Sequence, residues 1–266
     1  MPELMQGKRG LIMGLANERS LAWGIARAVA GQGAELAFSY QGEALEKRVR
    51  PLAMELGSDV LVDCDVSDMK ALDKTFAALK ERWQTLDFVV HAIGYSDKNE
   101  LRGKFVDTSM DNFLMTMNIS VYSFVAVAQR ARALMSPGGS LLTLTYYGAE
   151  KVIPHYNVMG LAKSALESSV KYLAMDLGPE GIRVNQFNVG WTLTPNEFEL
   201  KKKEGLPADW PTKISKTYAP SGRLLSPEDI AWAAVYFLSD EAALVNGAIV
   251  DLEQYPLIGR NPAKEA

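Results

Sequence analysis

Two residues with usable chemistry stand out in the stretch "YNVMGLAKSALESSVKYLAMDLG": Tyr156 and Lys163, seven positions apart. A phenol donates a hydrogen bond and a proton, and a lysine ammonium is a compact cation on a long flexible stem. The stretch has the pattern of one long helix over 156–178. A helix turns about 100° per residue, so a gap of seven returns to within about 20° of the same face. The pair then sits two turns apart, about 10.5 Å along the axis. That distance disfavours a direct Tyr–Lys contact and leaves room between them for a substrate oxygen or a cofactor ribose. The division of labour puts Tyr156 on the reacting oxygen and Lys163 on a cofactor ribose. From spacing alone, the pair equally fits a core tyrosine and a solvated lysine on an amphipathic helix, since any such helix repeats at i+3, i+4 and i+7.

Upstream, "LTYYGAEKVIPHYN" ends an apolar strand at Tyr146 and Tyr147. Side chains alternate along a strand, so one phenol should point into a crevice and the other away. A phenol beside Tyr156 would make a donor pair around one substrate oxygen.

A second chemistry lies near the start of the chain. The first strand runs into "GLANERSLAWGIARAVAGQG", in which Gly14 ends the strand, Ser20 can cap the helix and Gly24 lies in its first turns. A glycine-rich strand-to-helix turn lets backbone approach a pyrophosphate, whose charge then sits at a helix N-terminus. The second strand ends "SYQGEALEKR". There is neither an acid at the tip for an adenosine ribose nor an immediate basic residue for a 2′-phosphate. Gln41 can hydrogen-bond a ribose hydroxyl without charge, and Glu43 would repel a 2′-phosphate. The pattern favours NADH over NADPH, although Lys47 and Arg48 further along keep NADPH open. Asp65 and Val66, after the third strand, are placed to flank an adenine, and Asp65 is also a natural helix cap. Gly94, ending "AIG", is small enough to let a cofactor pass.

The elements that must hold these residues are legible. Strand candidates are 9–14, 35–40, 59–65, 87–94, 140–147, 183–190 and 247–252, with helical patterns near 20–32, 43–57, 68–84, 111–135, 156–178 and 226–239. Near-continuous apolar strands mean burial on both faces. Alternation of such strands with helices predicts an α/β fold: a Rossmann-type, doubly wound, seven-stranded parallel sheet flanked by helices, in a single domain spanning 1–266. The segment 191–222 is irregular, with prolines, tryptophans and the lysine run Lys201–Lys203. A long segment of that kind in a compact domain reads as a lid over a binding site.

The 266 residues are 48 % apolar and carry 28 basic against 32 acidic side chains, a net charge of −4. That balance gives no footprint for nucleic acid. The one cysteine, Cys64, allows no intrachain disulfide, reads as a small buried hydrophobe, and suits a reducing compartment. No apolar run approaches the ~18 residues of a membrane span, and the N-terminus lacks the apolar core of a secretion signal. The reading is a cytoplasmic protein without a membrane partner. The two histidines, His91 and His155, form no cluster with metal-ligand spacing, so no metal is expected.

Together, "GLANERSLAWGIA", "FSYQGEALEKRV", "HAIG", "TYYGAEKVIPHYNVMGLAKSALESSVKYLAMDLGPEGIRVN" and "SPEDIA" resemble the enoyl-acyl carrier protein reductases, a divergent branch of the short-chain dehydrogenase/reductase family. The likeness is close over 1–190 and loose over 219–251. Its most specific part is Tyr146, Tyr156 and Lys163 together, because Tyr-x6-Lys separates this branch from its Tyr-x3-Lys relatives. The resemblance implies NADH-dependent reduction of a 2-enoyl thioester, such as one carried on acyl carrier protein, in fatty acid biosynthesis. It implies Tyr156 as donor to the thioester oxygen, Lys163 on the nicotinamide ribose and Tyr146 beside the substrate. It places Gly14, Ser20, Leu21, Gln41, Asp65, Val66, Gly94 and Thr194 along NADH, and implies a homotetramer joined through the long helices.

The chain departs from that pattern on the substrate side. Where the family usually reads Gly-Pro-Ile-Lys/Arg-Thr, this chain has "GWTLT", so Trp191, Thr192 and Leu193 are new while Thr194 matches. "VDGG" is replaced by "VDLE", Val250 to Glu253. Trp191 would reshape the acyl pocket. Asn118 occupies the place of a catalytic-site Asn in ordinary short-chain dehydrogenases, and also fits a helix hydrogen bond. A carbonyl reductase or alcohol dehydrogenase is the alternative enzyme, and an NADH-binding module without turnover is the alternative outside catalysis. Lys201–Lys203 can meet an acidic carrier protein or be a solvated face.

Overall fold

Seven strands form one all-parallel sheet in the computed structural model: β1 (Arg9–Met13), β2 (Glu35–Tyr40), β3 (Val60–Asp63), β4 (Phe88–His91), β5 (Ser140–Thr145), β6 (Arg183–Val189) and β7 (Ile249–Leu252), in the order β3-β2-β1-β4-β5-β6-β7. The structure describes residues 3–194, 198, 202 and 205–254. Every residue of β4, β5 and β6 is buried, as a strand covered by helices on both faces must be. On one face lie α3 (Met69–Trp83), α6 (Ser123–Ala131) and α7 (Asn157–Leu177), whose Leu72, Phe76, Phe124, Val127, Leu166 and Val170 meet Leu11, Val89 and Leu141 of the sheet. On the other lie α1 (Leu21–Ala30), α2 (Gly42–Glu55) and α9 (Pro227–Leu238), bringing Trp23, Ile25, Val49, Ile230 and Val235 against Ile12, Phe38 and Phe187. This is the doubly wound single-domain sheet that the sequence predicts. The chain reverses its winding between β1 and β4, and ligands of such sheets bind at the carboxyl ends beside that switch.

The strands stop earlier than the apolar runs do. The expected 59–65, 87–94 and 140–147 end at Asp63, His91 and Thr145. Beyond β3 and β4 the chain runs on along a cleft, which Cys64, Val66, Ala92 and Ile93 line. The expected helix 111–135 is also interrupted. It comprises α5 (Met110–Met117), a π-helical turn (Asn118–Tyr122) and α6. The wide turn lets the Ser120 hydroxyl donate to the Tyr95 carbonyl at 3.1 Å and accept from the Tyr95 amide at 3.0 Å. A π-bulge of this kind is a common local distortion at functional sites. Two helices had no strong sequence signal: α4 (Lys98–Leu101) and α8 (Trp210–Tyr218), the latter inside the expected lid.

Gly24, taken with the cofactor turn on sequence grounds, has a packing role. A Cβ there would lie 2.8 Å from the Pro227 carbonyl, so its absence lets α1 meet the start of α9.

Candidate active site

The carboxyl ends of β1 to β4 open onto a cleft of about 520 Å³, within the range usual for ligand sites. Five of the residues expected along a dinucleotide line it: Gly14, Gln41, Asp65, Val66 and Gly94. Gly14 has φ of +93°, and a Cβ there would sit 2.1 Å from the Ala92 carbonyl oxygen. Both facts exclude a side chain and bring bare backbone to the floor of the cleft. Ser20 sits at the N-cap of α1, where its hydroxyl accepts from the Trp23 amide at 3.3 Å and donates to the Asn17 carbonyl at 2.8 Å. Ser20, Leu21 and Thr194 are not among the residues lining the cleft.

At the far end, the Gln41 amide donates to the Asp65 carboxylate at 2.8 Å. Asp65 also accepts from the backbone and hydroxyl of Ser67. Burial pushes the Asp65 carboxyl up, but these hydrogen bonds outweigh it and hold the group below its ordinary value. Asp65 is not the cap of α3, as capping preference alone allowed; Asp68 is, accepting from the Lys70 amide. The Asp63 carboxylate accepts from the Gly42 amide at 2.8 Å, at the start of α2. Glu43 pairs with Lys47, so the lysine left open as a phosphate ligand is engaged by its own helix. Carboxylates of Asp63, Asp65 and Glu43 therefore gather where β2 passes into α2, a setting unfavourable to a phosphate.

The sequence reading missed other lining residues, including Leu15, Tyr40, Tyr95 and Ile119. Cys64, read only as a buried hydrophobe, is buried and also lines this cleft. Their shared signal was position just past a strand end or, for Ile119, in the π turn.

At the end of β5 the two tyrosines part as alternation predicts. Tyr147 is buried, with the Lys151 ammonium over its ring at 4.9 Å. Tyr146 turns the other way and meets Tyr156 edge-on, ring centroids 5.1 Å apart. Tyr156 is not inside the long helix, as its periodicity suggested. It is the N-cap residue of α7, between His155 and Asn157, both with positive φ (62° and 38°). The sharp turn there has a visible cause. Gly148 and Gly160 pack face to face: a Cβ on Gly160 would lie 2.7 Å from the Gly148 carbonyl, and one on Gly148 would lie 2.3 Å from the Tyr156 ring. A lysine at 160, four residues after Tyr156, has no room. Burial, with the Tyr146 phenol adjacent, holds the Tyr156 hydroxyl well above its ordinary value, so the phenol is neutral and proton-bearing.

Lys163, two turns into α7, is 8 % exposed and donates to the Leu144 carbonyl at 2.9 Å. Its ammonium lies 3.7 Å from where a Cβ of Gly94 would be, next to that cleft residue, while Lys163 is not itself among the residues lining the cleft. Burial lowers it to about 8 against a partial upward pull from Glu167. His91 lies beneath, fully buried between Ser123 and Thr143, and is driven down to about 3 by burial and by the Lys163 charge. It is a neutral support, not an acid or base at working pH. Asn118 begins the π turn, and His155 is exposed.

Trp191 does not enter the cleft. It stacks on Trp210 of α8, centroids 5.8 Å apart, in a small cluster with Leu193, Leu206, Ile214 and Leu224. Of the lysine run, Lys202 is exposed, and Lys201 and Lys203 lie outside the described residues. Among the described residues no group of three His, Cys, Asp or Glu side chains could hold a metal ion, and no helix is long and apolar enough to cross a membrane.

A nicotinamide dinucleotide fits this donor set: a glycine floor, a capped helix N-terminus, an uncharged ribose partner and a buried cation. Residues 14–253 match the family described as "Enoyl-(Acyl carrier protein) reductase". The chain is 54 % identical over 246 residues to enoyl-(acyl carrier protein) reductase (NADH) 1 of Rhizobium meliloti (strain 1021), covering 92 % of this chain and 89 % of that protein. It is 52 % identical over 266 residues to reductase (NADH) 2 of the same strain, covering 100 % and 97 %. Among solved structures, the reductase of Anaplasma phagocytophilum in complex with NAD superposes with a TM-score of 0.89 at 49 % identity, covering 99 % and 96 %. FabI from Candidatus Liberibacter asiaticus gives 0.90 at 46 %, covering 99 % and 100 %.

Proposed function

The chain belongs to the enoyl-(acyl carrier protein) reductase family, and on that premise we propose that it is an NADH-dependent oxidoreductase that reduces the C2=C3 bond of 2-enoyl thioesters in fatty acid biosynthesis. The observation that carries the reading is the Tyr146–Tyr156 pair at the end of β5, with Lys163 two turns on beside Gly94 of the cleft.

NADH, when bound, supplies the hydride that adds to the β-carbon of the thioester. The protein's part is to manage the charge that this moves onto the carbonyl oxygen. Tyr156, neutral and proton-bearing, donates a hydrogen bond to that oxygen as the enolate develops, an oxyanion-type role. A phenol already ionised would repel it. Tyr146 sets the ring of Tyr156 and borders the acyl chain. Lys163 binds the nicotinamide ribose and adds positive potential where negative charge grows. Gly14, Ser20, Leu21 and Thr194 hold the pyrophosphate side, Gln41 the adenosine ribose, Asp65 and Val66 the adenine, and Gly94 the passage between the two halves. A proton at the α-carbon completes the reduction.

Residues 191–222 are the proposed lid, with Trp191 on the substrate side through the cluster it anchors. The thioester arrives on acyl carrier protein, and the exposed Lys202 suits an acidic partner. Exposed Met110 and Leu114 on α5, Leu161, Tyr172 and Met175 on α7 and Trp232 on α9 support a homo-oligomer, a tetramer by the family's habit. A cytoplasmic location agrees with the single buried cysteine.

The test is oxidation of NADH, followed by absorbance, with crotonyl and longer 2-enoyl thioesters and then with simple ketones. Turnover of the thioesters is expected. Turnover of ketones alone overturns the reading in favour of a carbonyl reductase, and NADH binding without turnover in favour of a binding module.

A further inference from the structure

The residues after β7 tie the two ends of the lid together. The Glu253 carboxylate splits its oxygens: Oε2 accepts from the Trp191 amide at 3.0 Å and Oε1 from the Gln254 amide at 2.8 Å. Trp191 begins the lid. The next residue, Gln254, reaches its far end, where Oε1 accepts from the Ser221 amide at 3.1 Å and Nε2 donates to the Arg223 carbonyl at 2.7 Å. One dipeptide thus bonds both stems of a segment whose described part is also held by a small aromatic cluster, by the backbone bridge of Thr192 with Leu225 and, at its far stem, by the Arg223–Asp229 ion pair. Gly190 makes room for this. A Cβ there would lie 2.3 Å from Glu253 Oε2, so any other residue would push the carboxylate off the Trp191 amide. Gly190 is itself held, its amide donating to the Leu252 carbonyl at 3.0 Å.

We propose that Glu253 and Gln254 are positioning residues: a latch that fixes both stems of the lid and thereby sets how the 2-enoyl thioester is held. The substrate part of this rests on the reductase reading above; the structural part does not. Glu253 touches no reacting atom. It acts through the first backbone turn of the lid and the Trp191 ring stacked on Trp210. A carboxylate accepting a backbone amide is a charge-assisted bond of the stronger kind. Glutamine keeps an acceptor oxygen at the same reach, and alanine keeps none.

The experiment uses the full chain and the variants Glu253→Ala, Glu253→Gln and Gln254→Ala. Amide hydrogen exchange, read by mass spectrometry on peptides spanning 188–194 and 219–225, is compared with exchange in β4 and β5. A lost bond to a charged acceptor should speed exchange at Trp191 about tenfold in Glu253→Ala; the neutral Gln254 oxygen is worth less, so Gln254→Ala should speed exchange at Ser221 about threefold, and Glu253→Gln, which keeps an acceptor, should stay within about threefold of the parent. With crotonyl thioester, KM should rise about tenfold in Glu253→Ala while kcat and the KM for NADH hold within about twofold, and Glu253→Gln should restore the parent value. Unchanged exchange at both stems overturns the latch, whatever the protein turns over. A parallel rise in the KM for NADH also overturns it, because that reports loosening of the whole sheet. Failure of the parent chain to turn over any enoyl thioester would instead overturn the reductase reading and leave the exchange result standing.

Discussion

The cofactor cleft and the lid are held by different means. At the cleft, position is dictated by backbone: Gly14 lies against the Ala92 carbonyl, the β1–β4 switch fixes the opening, and Lys163 is buried with its ammonium on Leu144. The described part of the proposed lid has one backbone bridge, Thr192 with Leu225, and leans more on side chains: Trp191 on Trp210, Glu253 on one stem and Gln254 on the other. The cleft belongs to the cooperative core and should open only when the sheet does, whereas a satellite cluster with few buried contacts can open locally. The difference separates two functions. A dinucleotide is the same for every substrate and suits a rigid site. An acyl chain varies, and the segment proposed to meet it can change without cost to the sheet.

The largest expected effect lies where the two regions meet. Tyr156→Phe removes the donor and little else, since its ring still packs edge-on with Tyr146. Turnover of crotonyl thioester should fall about 100- to 1,000-fold, the range for loss of one oxyanion donor or general acid. NADH affinity, measured by fluorescence titration, should stay within about twofold of the parent. Loss of NADH affinity of the same size would place Tyr156 in the cofactor site and collapse the distinction between the regions.

Lys163 tests the cleft alone. Lys163→Ala should weaken NADH about 10- to 100-fold, the worth of a charge-assisted bond, with the lid's exchange unchanged. In the parent the charge itself titrates in reach of experiment. Burial lowers Lys163 to about 8 from its ordinary 10.5, so the free folded protein sheds this proton as pH rises through about 8, while the unfolded chain keeps it to about 10.5. Two opposite trends follow between those values. Stability gains from this group with rising pH, because there the unfolded chain binds more protons. NADH affinity falls, by up to about tenfold per pH unit, because binding must restore the cation. Fluorescence titrations from pH 7 to 10 should show this slope in the parent and not in Lys163→Ala. A flat profile in the parent removes Lys163 from the ribose.

The same contrast explains what could be read from the sequence. The seven strands, their parallel arrangement and the glycine turn after the first of them were legible, because burial on both faces and a close backbone approach leave few residue choices. Gly14 is the clearest case: only glycine suits its φ and its neighbour. The Tyr–Lys spacing was legible as a pattern, but its cause was not. Seven works, and four does not, because Gly160 abuts the Gly148 carbonyl across space. Tyr156 was placed inside the helix because periodicity does not register the positive φ of His155 and Asn157 on either side of it. The π turn was invisible for a similar reason: Asn118–Tyr122 keeps helical composition, and the extra residue shows only in the backbone, where the Ser123 amide donates to the Asn118 carbonyl five residues back. On the lid, two departures from the family pattern looked independent, a tryptophan where the family has proline and a glutamate where it has glycine. They are one feature. Trp191 has a backbone N–H that proline lacks, and Glu253 supplies its acceptor.

The smallest effect tests the lid's independence most directly. Trp210 is buried, but in the satellite cluster and not in either main core. Truncating a tryptophan in a main core costs about 3–5 kcal/mol of global stability. Here Trp210→Ala should move the denaturation midpoint hardly at all, by less than about 0.5 kcal/mol, because the sheet unfolds without reference to a segment that opens first. The loss should appear in function instead. Without the ring beneath Trp191, the KM for crotonyl thioester should rise about three- to tenfold, with NADH affinity unchanged, as expected when uniform substrate binding is removed. A drop of several kcal/mol in global stability would show that lid and sheet unfold as one, and the separation between a rigid cofactor site and an exchangeable substrate cover would then be wrong.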